Sequence, residues 1–256
     1  MSRTAVYSAL VLRNRPFGES NSEVTLLTAE EGIIRATVFG GAKSKLRAHS
    51  APYNSGQVWI YRDKAKDYSQ QGFHYAKLSD FDVHSWRPGL RELYERTMTA
   101  GAVSDTILSS HGGGGDWGIA LKLAIETLDA LEEANEELCH RLLVHFLWRW
   151  AYFMGIQPHL DYCAACEKNT DGTFWFNTRE GTVICGECLH DNNERGVFLK
   201  LNAGCRKWLT AVETLEPSKL HRYSMDNKSF NEAKSLVTAV LSGVLGKRLL
   251  SWDSMI

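Results

Sequence analysis

The sequence predicts an α+β chain: an N-terminal small β-barrel of the OB type, then an all-helical region with an inserted zinc ribbon. Three observations predict it. Five short β-prone runs crowd into the first 80 residues, the apolar period changes from two to 3.6 after Pro88, and two Cys-x-x-Cys pairs stand eighteen residues apart. The expected boundaries are 1–80 for the barrel, 88–256 for the helical region and 160–190 for the ribbon.

The first run is Val6 to Leu12. The second is Glu23 to Thr28, with Val24, Leu26 and Leu27 apolar. Gly32 turns the chain into a third, Ile33 to Phe39, rich in β-branched residues. Gly40-Gly41 ends it, and a polar loop is expected over 42–54. Gln57 to Tyr61 is the fourth run, and Tyr68 to Leu78 the fifth, broken near Gly72. Five such strands suit a small closed barrel, most often of the OB type. A plain sheet laid on one side of a helical region is the other reading.

After Pro88, the residues Leu90, Leu93, Tyr94 and Met98 open an amphipathic helix running towards Leu108. Gly112 to Gly115 reads as a flexible loop. Asp116 caps a second helix carrying Leu121, Ile125, Leu128 and Leu131. The third, from Leu138 to Met154, is apolar almost all round, which places it centrally in a bundle. Gly155 and Pro158 stop it. Asn202 caps a short helix with Trp208 and Leu209, and a last helix carries Phe230, Ala233, Val237, Val240, Leu241 and Val244.

Cys163, Cys166, Cys185 and Cys188 are the candidate metal ligands. Each pair sets two thiolates on one tight turn, within reach of one tetrahedral ion. The insert between them holds β-prone runs at Thr173 to Phe176 and Thr182 to Ile184, with Gly172 and Gly181 at the turns. Redox Cys-x-x-Cys motifs come singly beside a βαβ pattern, and paired disulfides do not persist inside cells. One zinc ion with four protein ligands is closed, hence structural. Cys139 and Cys205 fall in helical patterns and read as core thiols.

Composition narrows the class. Hydrophobic residues make up 44%, normal for a packed globular chain. Met1 to Leu12 has no signal-peptide pattern, and no apolar run approaches the ~18 residues of a membrane span. With four cysteines in a metal pattern, the expected location is a reducing cytoplasm. The net charge of −1 hides an asymmetry: residues 1–80 carry 11 Lys and Arg against 7 Asp and Glu, the remainder 18 against 23. A basic front on a neutral chain predicts one face for a polyanion.

No catalytic set emerges. Gly40-Gly41-Ala42-Lys43-Ser44 lacks the glycine that a phosphate loop needs directly before its lysine. Gly246-Lys247-Arg248 lacks the magnesium-holding hydroxyl. His140 and His145 lie five apart, off the helical neighbour spacing.

The basic loop carries the functional signal. Lys43, Lys45 and Arg47 alternate with small or apolar residues, so an extended segment would aim all three to one side. Arg35 before it, and Arg62, Lys64 and Lys66 after the fourth run, extend the patch. Trp59, Tyr61, Tyr68, Phe73 and Tyr75 lie on the same strands. Cations over an aromatic-bearing β platform suit single-stranded nucleic acid. The other reading puts those rings in a core and leaves the cations merely solvated.

Several stretches together resemble the RecO family of bacterial recombination mediators. They are Glu23 to Thr28 with Gly32, and Gly41-Ala42-Lys43-Ser44-Lys45, similar to the family's Gly-Ala-Arg-Lys-Ser-Lys. Pro88 to Leu93 and Arg149 through Met154 to Pro158 continue the likeness. The four cysteines follow directly, and Gly246-Lys247-Arg248-Leu249-Leu250-Ser251 is similar to the closing Gly-Lys-Pro-Leu-Lys-Ser. The resemblance covers nearly the whole chain. It implies an OB-fold amino domain, a helical carboxyl domain with a zinc module, and no enzyme chemistry. It also implies binding of single- and double-stranded DNA, annealing of complementary strands and, with RecR, loading of RecA onto strands coated by single-strand binding protein. In some family members the helical domain holds the acidic tail of that protein, and Arg149 matches a family arginine there. The implied location is the nucleoid-associated cytoplasm. The chain departs from the pattern in its basic run, one cation shorter, and in Arg248, which stands in place of a proline.

A zinc-ribbon adaptor of the transcription type is the alternative. Its ribbon would touch nucleic acid. Here Lys168, Arg179 and Arg195 stand against Asp161, Glu167, Asp171, Glu180, Glu187, Asp191 and Glu194, so the ribbon is acidic.

Overall fold

The computed structural model describes residues 4–40, 44–62, 76–113, 115–169, 172–191 and 197–253. The first strands are β1 (Thr4–Phe17), β2 (Asn21–Thr28) and β3 (Gly32–Val38), followed by a one-turn helix α1 (Lys45–His49), then β4 (Ser55–Arg62) and β5 (Ala76–Ser85). The five strands close into a barrel in the order β1-β2-β3-β5-β4. All neighbours are antiparallel except β3 and β5, which run parallel where Thr37 meets Lys77. This is the five-stranded barrel expected from the sequence.

Period-two alternation explains how the barrel both fills itself and attaches to the helices. Ala9, Val11, Val24, Leu26, Ile34, Ala36, Val38, Val58 and Ile60 point inward and form a closed core. Leu10, Leu12 and Leu27, on the opposite faces of β1 and β2, join the core of the helical half. Trp59 and Tyr61 alternate with the buried Val58 and Ile60, so they lie half-buried on the outside of β4.

Two elements differ from the expectation. The fifth strand is Ala76–Ser85, so it overlaps the expected run only at residues 76–78, and residues 68–75 lie outside the described ones. A bulge beside Asp80 shifts the register against Trp59 and Ile60. Leu78 and Phe81 therefore both face the core although three residues apart, which breaks the alternation that marks a strand. The expected loop also contains α1. Leu46 packs against the end of the barrel core, His49 Nδ1 lies 2.9 Å from the Phe81 carbonyl, and Asn54 Nδ2 donates to the His49 carbonyl at 2.9 Å. An isolated turn this short would not form; the barrel end and Asn54 hold it.

The helical half contains α2 (Tyr94–Ser109), α3 (Trp117–Leu131), α4 (Glu136–Phe153), a short α5 (Gly186–Asp191), α6 (Ala203–Val212) and α7 (Asn227–Leu245). Helix α4 buries Leu142, Leu143, Phe146, Leu147 and Trp150 and packs against α2, α3 and α7. Four N-termini are closed by side chains that accept from backbone N–H: Asp116 from Ile119, Asn135 from Leu138, Asn202 from Cys205 and Asp226 from Ser229. Each cap contributes about 1 kcal/mol.

Between α4 and α6 lies a three-stranded sheet, β7-β6-β8, made of β6 (Phe174–Asn177), β7 (Thr182–Cys185) and β8 (Phe198–Leu201), with α5 directly after β7. Phe174 and Phe176 are buried in the same core as the bundle, and Arg206 of α6 stacks over Phe174 at 4.0 Å while donating to the Leu160 carbonyl. The ribbon is thus welded to the bundle. The end of the chain is anchored too: buried Trp252 donates through Nε1 to Thr106 Oγ1 of α2 at 2.9 Å.

Candidate nucleic-acid interface and cysteine metal centre

The four cysteines converge. Cys163 and Cys166 sit on the turn after α4, Cys185 ends β7 and Cys188 lies in the first turn of α5. Their Sγ atoms all lie within 4.8 Å of one another, and Cys166 and Cys185 are 3.9 Å apart. A tetrahedral thiolate site with metal–sulfur bonds of ~2.3 Å has sulfurs about 3.8 Å apart, so the set fits one ion. The two turns are zipped by backbone: Ala164 N–H donates to the Val183 carbonyl at 2.8 Å and Cys185 N–H to Cys163 Sγ at 3.3 Å. Burial by itself raises the Cys163 thiol. The N–H groups of Cys185, Cys166 and Ala165 outweigh it and bring the thiol down to about 6. Cys188 is pushed up by the sulfurs of Cys166 and Cys185 beside it. Four thiolates cannot share this space without a cation, which is the chemistry of a metal centre. Among the described residues it is the one group of three or more His, Cys, Asp or Glu close enough to hold an ion.

The predicted cations are distributed less simply. Arg35 is exposed on the outer face of β3, paired in register with Thr25 of β2. Lys45 and Arg47 are exposed, but on helix α1. Alternation on an extended segment is therefore not what presents them: residues two apart on a helix point to nearly opposite sides. Arg62 is engaged by Glu31 at 2.6 and 3.0 Å, in a cluster that includes Tyr7, whose hydroxyl donates to Glu31 at 2.5 Å. Lys43, Lys64, Lys66, Tyr68, Phe73 and Tyr75 lie outside the described residues. Arg149 is half-buried on α4 and donates to the Leu215 carbonyl at 2.9 Å, an acceptor it shares with His145 Nε2 at 3.0 Å.

Arg35 opens onto a feature that no local pattern announced. A cleft of about 1010 Å³ runs between the β1-β2-β3 face and the helical half. One wall carries Arg13, Arg15 and Arg35, the other Asp105 and the terminal segment Lys247 to Ser251. Arg13 and Arg15 share the parity of the inward-facing Ala9 and Val11, so strict alternation would bury them; a bulge between Val11 and Arg13 turns them outward.

A barrel, a bundle and a cysteine centre in this order are matched by one family. The family model for the Recombination protein O C terminal matches residues 93–253, and that for the N terminal matches residues 1–72. The chain belongs to the RecO family. One similar relative is the DNA repair protein RecO of Bacillus subtilis (strain 168), 26% identical over 230 residues, covering 89% of this chain and 84% of that protein. The DNA repair protein RecO of Syntrophus aciditrophicus (strain SB) is 25% identical over 250 residues, covering 94% and 91%. That of Syntrophomonas wolfei subsp. wolfei is 28% identical over 186 residues, covering 71% and 69%. As a RecO-family DNA repair protein, the chain pairs the family's OB-type barrel with a helical half and a cysteine centre that could hold a metal ion. No helix among the described residues is long and apolar enough to cross a membrane.

Proposed function

We propose that this RecO-family chain is a non-enzymatic DNA-binding mediator of recombination and repair. It binds single- and double-stranded DNA, anneals complementary strands and, with RecR, helps load RecA onto strands coated by single-strand binding protein. The observation that carries the reading is the placement of Arg35, Lys45 and Arg47, all exposed, on a closed barrel of OB strand order. OB barrels bind oligonucleotides on the β2–β3 face, and Arg35 projects from that face. In this reading residues 1–80 are the nucleic-acid unit. Residues 88–256, with the 160–190 ribbon, scaffold the barrel and recruit partners, the acidic tail of single-strand binding protein meeting Arg149. The setting is the nucleoid-associated cytoplasm.

The mechanism needs no bond chemistry. Two strands repel through their phosphates; cations that neutralise both let base pairing proceed. Backbone contacts are sequence-independent, so Lys and Arg suffice. The cysteine centre holds one structural zinc ion, closed by four protein ligands. Its part is to keep the ribbon folded against the bundle.

A strand-annealing assay tests the reading. Lys43→Ala/Lys45→Ala/Arg47→Ala should anneal more slowly and bind single strands with a shallower salt dependence, by roughly 0.7 of slope for each phosphate no longer neutralised. A variant with unchanged annealing and unchanged slope rejects this assignment of the DNA-binding cations.

A further inference from the structure

We infer that the cleft between the barrel and the helical half is a channel for one nucleic-acid strand, and that Lys247 and Arg248 form its second wall. This rests on the DNA-binding reading above and specifies the path. Arg15 and Arg35 are exposed on the barrel wall, and Lys247 and Arg248 are exposed opposite them. The terminal segment is held in place: Gly246 ends α7 in the left-handed conformation at φ 65°, and Leu249 and Trp252 are buried. Leu250 between them is 84% exposed, an apolar side chain left in solvent at the cleft wall.

At one point the walls touch, where Arg13 of β1 reaches Asp105 of α2 at 2.9 Å, so a strand in the cleft runs beside this ion pair. Trp117 supplies a ring in the wall. A Cβ on Gly32 or Gly112 would fall 2.8 or 2.9 Å from its indole, so the two glycines fix the ring in place. Rings and cations together are what single strands bind.

The cleft also holds carboxylates, and each already faces a cation. Asp105 pairs with Arg13, Glu31 with Arg62, and Glu23 stands across the ladder from Arg15. Asp105 therefore occupies the place of a phosphate and competes with the strand.

Fluorescence anisotropy on a labelled thymidine oligomer, across a salt series, tests this with the full chain. Lys247→Ala/Arg248→Ala should weaken binding and reduce the log–log salt slope by roughly 0.7, the worth of one phosphate, because Arg248 is already paired with Asp253 while Lys247 is exposed. Asp105→Asn should tighten binding, on the order of threefold, as one weak ion pair is removed. A photo-crosslinking residue at position 250 should attach to the oligomer. Duplex of equal length should respond little to the Lys247 and Arg248 changes. If Arg35→Ala weakens binding while Lys247→Ala/Arg248→Ala and Asp105→Asn do nothing, the strand binds the barrel without entering the cleft and the channel is refuted. The channel is equally refuted if duplex loses as much as single strand. If the wild-type chain binds no oligomer, the DNA-binding reading beneath it fails.

Discussion

Arg87 donates through Nε to Asp129 at 2.7 Å from a side chain with 0% exposure. It sits in the left-handed region at φ 47° and also donates from Nη1 to the Tyr53 carbonyl at 2.6 Å and to Ser55 Oγ at 3.0 Å. One guanidinium thus ties the start of β4 to α3, joining barrel and bundle. Arg87→Ala leaves those acceptors unpaired in a cavity and should cost about 3 kcal/mol. Asp129→Asn should cost less, about 1 kcal/mol, because Asp129 is 51% exposed and water can replace it. Urea midpoints give the order; equal shifts for the two variants would contradict it.

The glycine run after α2 makes a second prediction. Gly113, at φ +86°, lies where an added Cβ would come 2.2 Å from Phe153 Cε1, with Trp150 at 3.2 Å. Gly113→Ala should therefore destabilise by about 2–4 kcal/mol, overpacking added to backbone strain. Gly181→Ala, whose Cβ would meet nothing within 4 Å at φ +69°, carries only the backbone part, about 1–2 kcal/mol. Thermal midpoints of the two variants check the difference.

Those glycines also show where sequence reading stops. Gly112 to Gly115 reads as a loose loop because composition records only backbone freedom; the packing of Gly112 on Trp117 and Gly113 on Phe153 is tertiary. The first four strands of the barrel were legible because alternation is local, and the cysteine centre because its spacing is local; the fifth was misplaced because the bulge beside Asp80 breaks its alternation. Helix α1 was not, since Leu46 and Asn54 stabilise it from outside its own turn. The third ribbon strand, Phe198–Leu201, was not legible either, being four residues that gain their order by pairing with β6. The cleft could not be read at all, because Arg13 and Arg35 meet Asp105 and Lys247 only when the barrel docks on α2.

The cysteine centre predicts a stoichiometry and a coupling. Elemental analysis should return one zinc per chain. Because Phe174 and Phe176 of the ribbon share the bundle's core, Cys163→Ser should disturb more than the ribbon. A loss of ~3 kcal/mol would lower the melting midpoint by roughly 6–12 °C for a chain of this size. Chelation of the wild type should reproduce that fall. Wild-type protein stripped of zinc yet melting at the same temperature as the zinc-loaded protein would rule the structural role out.

His145 predicts an acid-sensitive step. It is fully buried on α4, and burial, aided by the nearby Arg149 charge, pulls its pKa from 6.5 down to about 4. The folded chain therefore holds the imidazole neutral, while the unfolded chain protonates it at the ordinary value. Between pH 6.5 and 4 the unfolded state binds the extra proton, so stability is full above about 6.5 and declines as pH falls through that window. A displacement of this size corresponds to about 3 kcal/mol when complete, at ~1.4 kcal/mol per pH unit. His145→Gln keeps a donor for the Leu215 carbonyl but cannot titrate. Its urea midpoint should fall less steeply than the wild type between pH 6.5 and 4. The metal centre contributes its own acid sensitivity to both proteins, so the difference between the two slopes isolates the histidine. Parallel curves would mean that His145 is protonated within the fold and that the Arg149–Leu215 contact tolerates a second positive charge beside it.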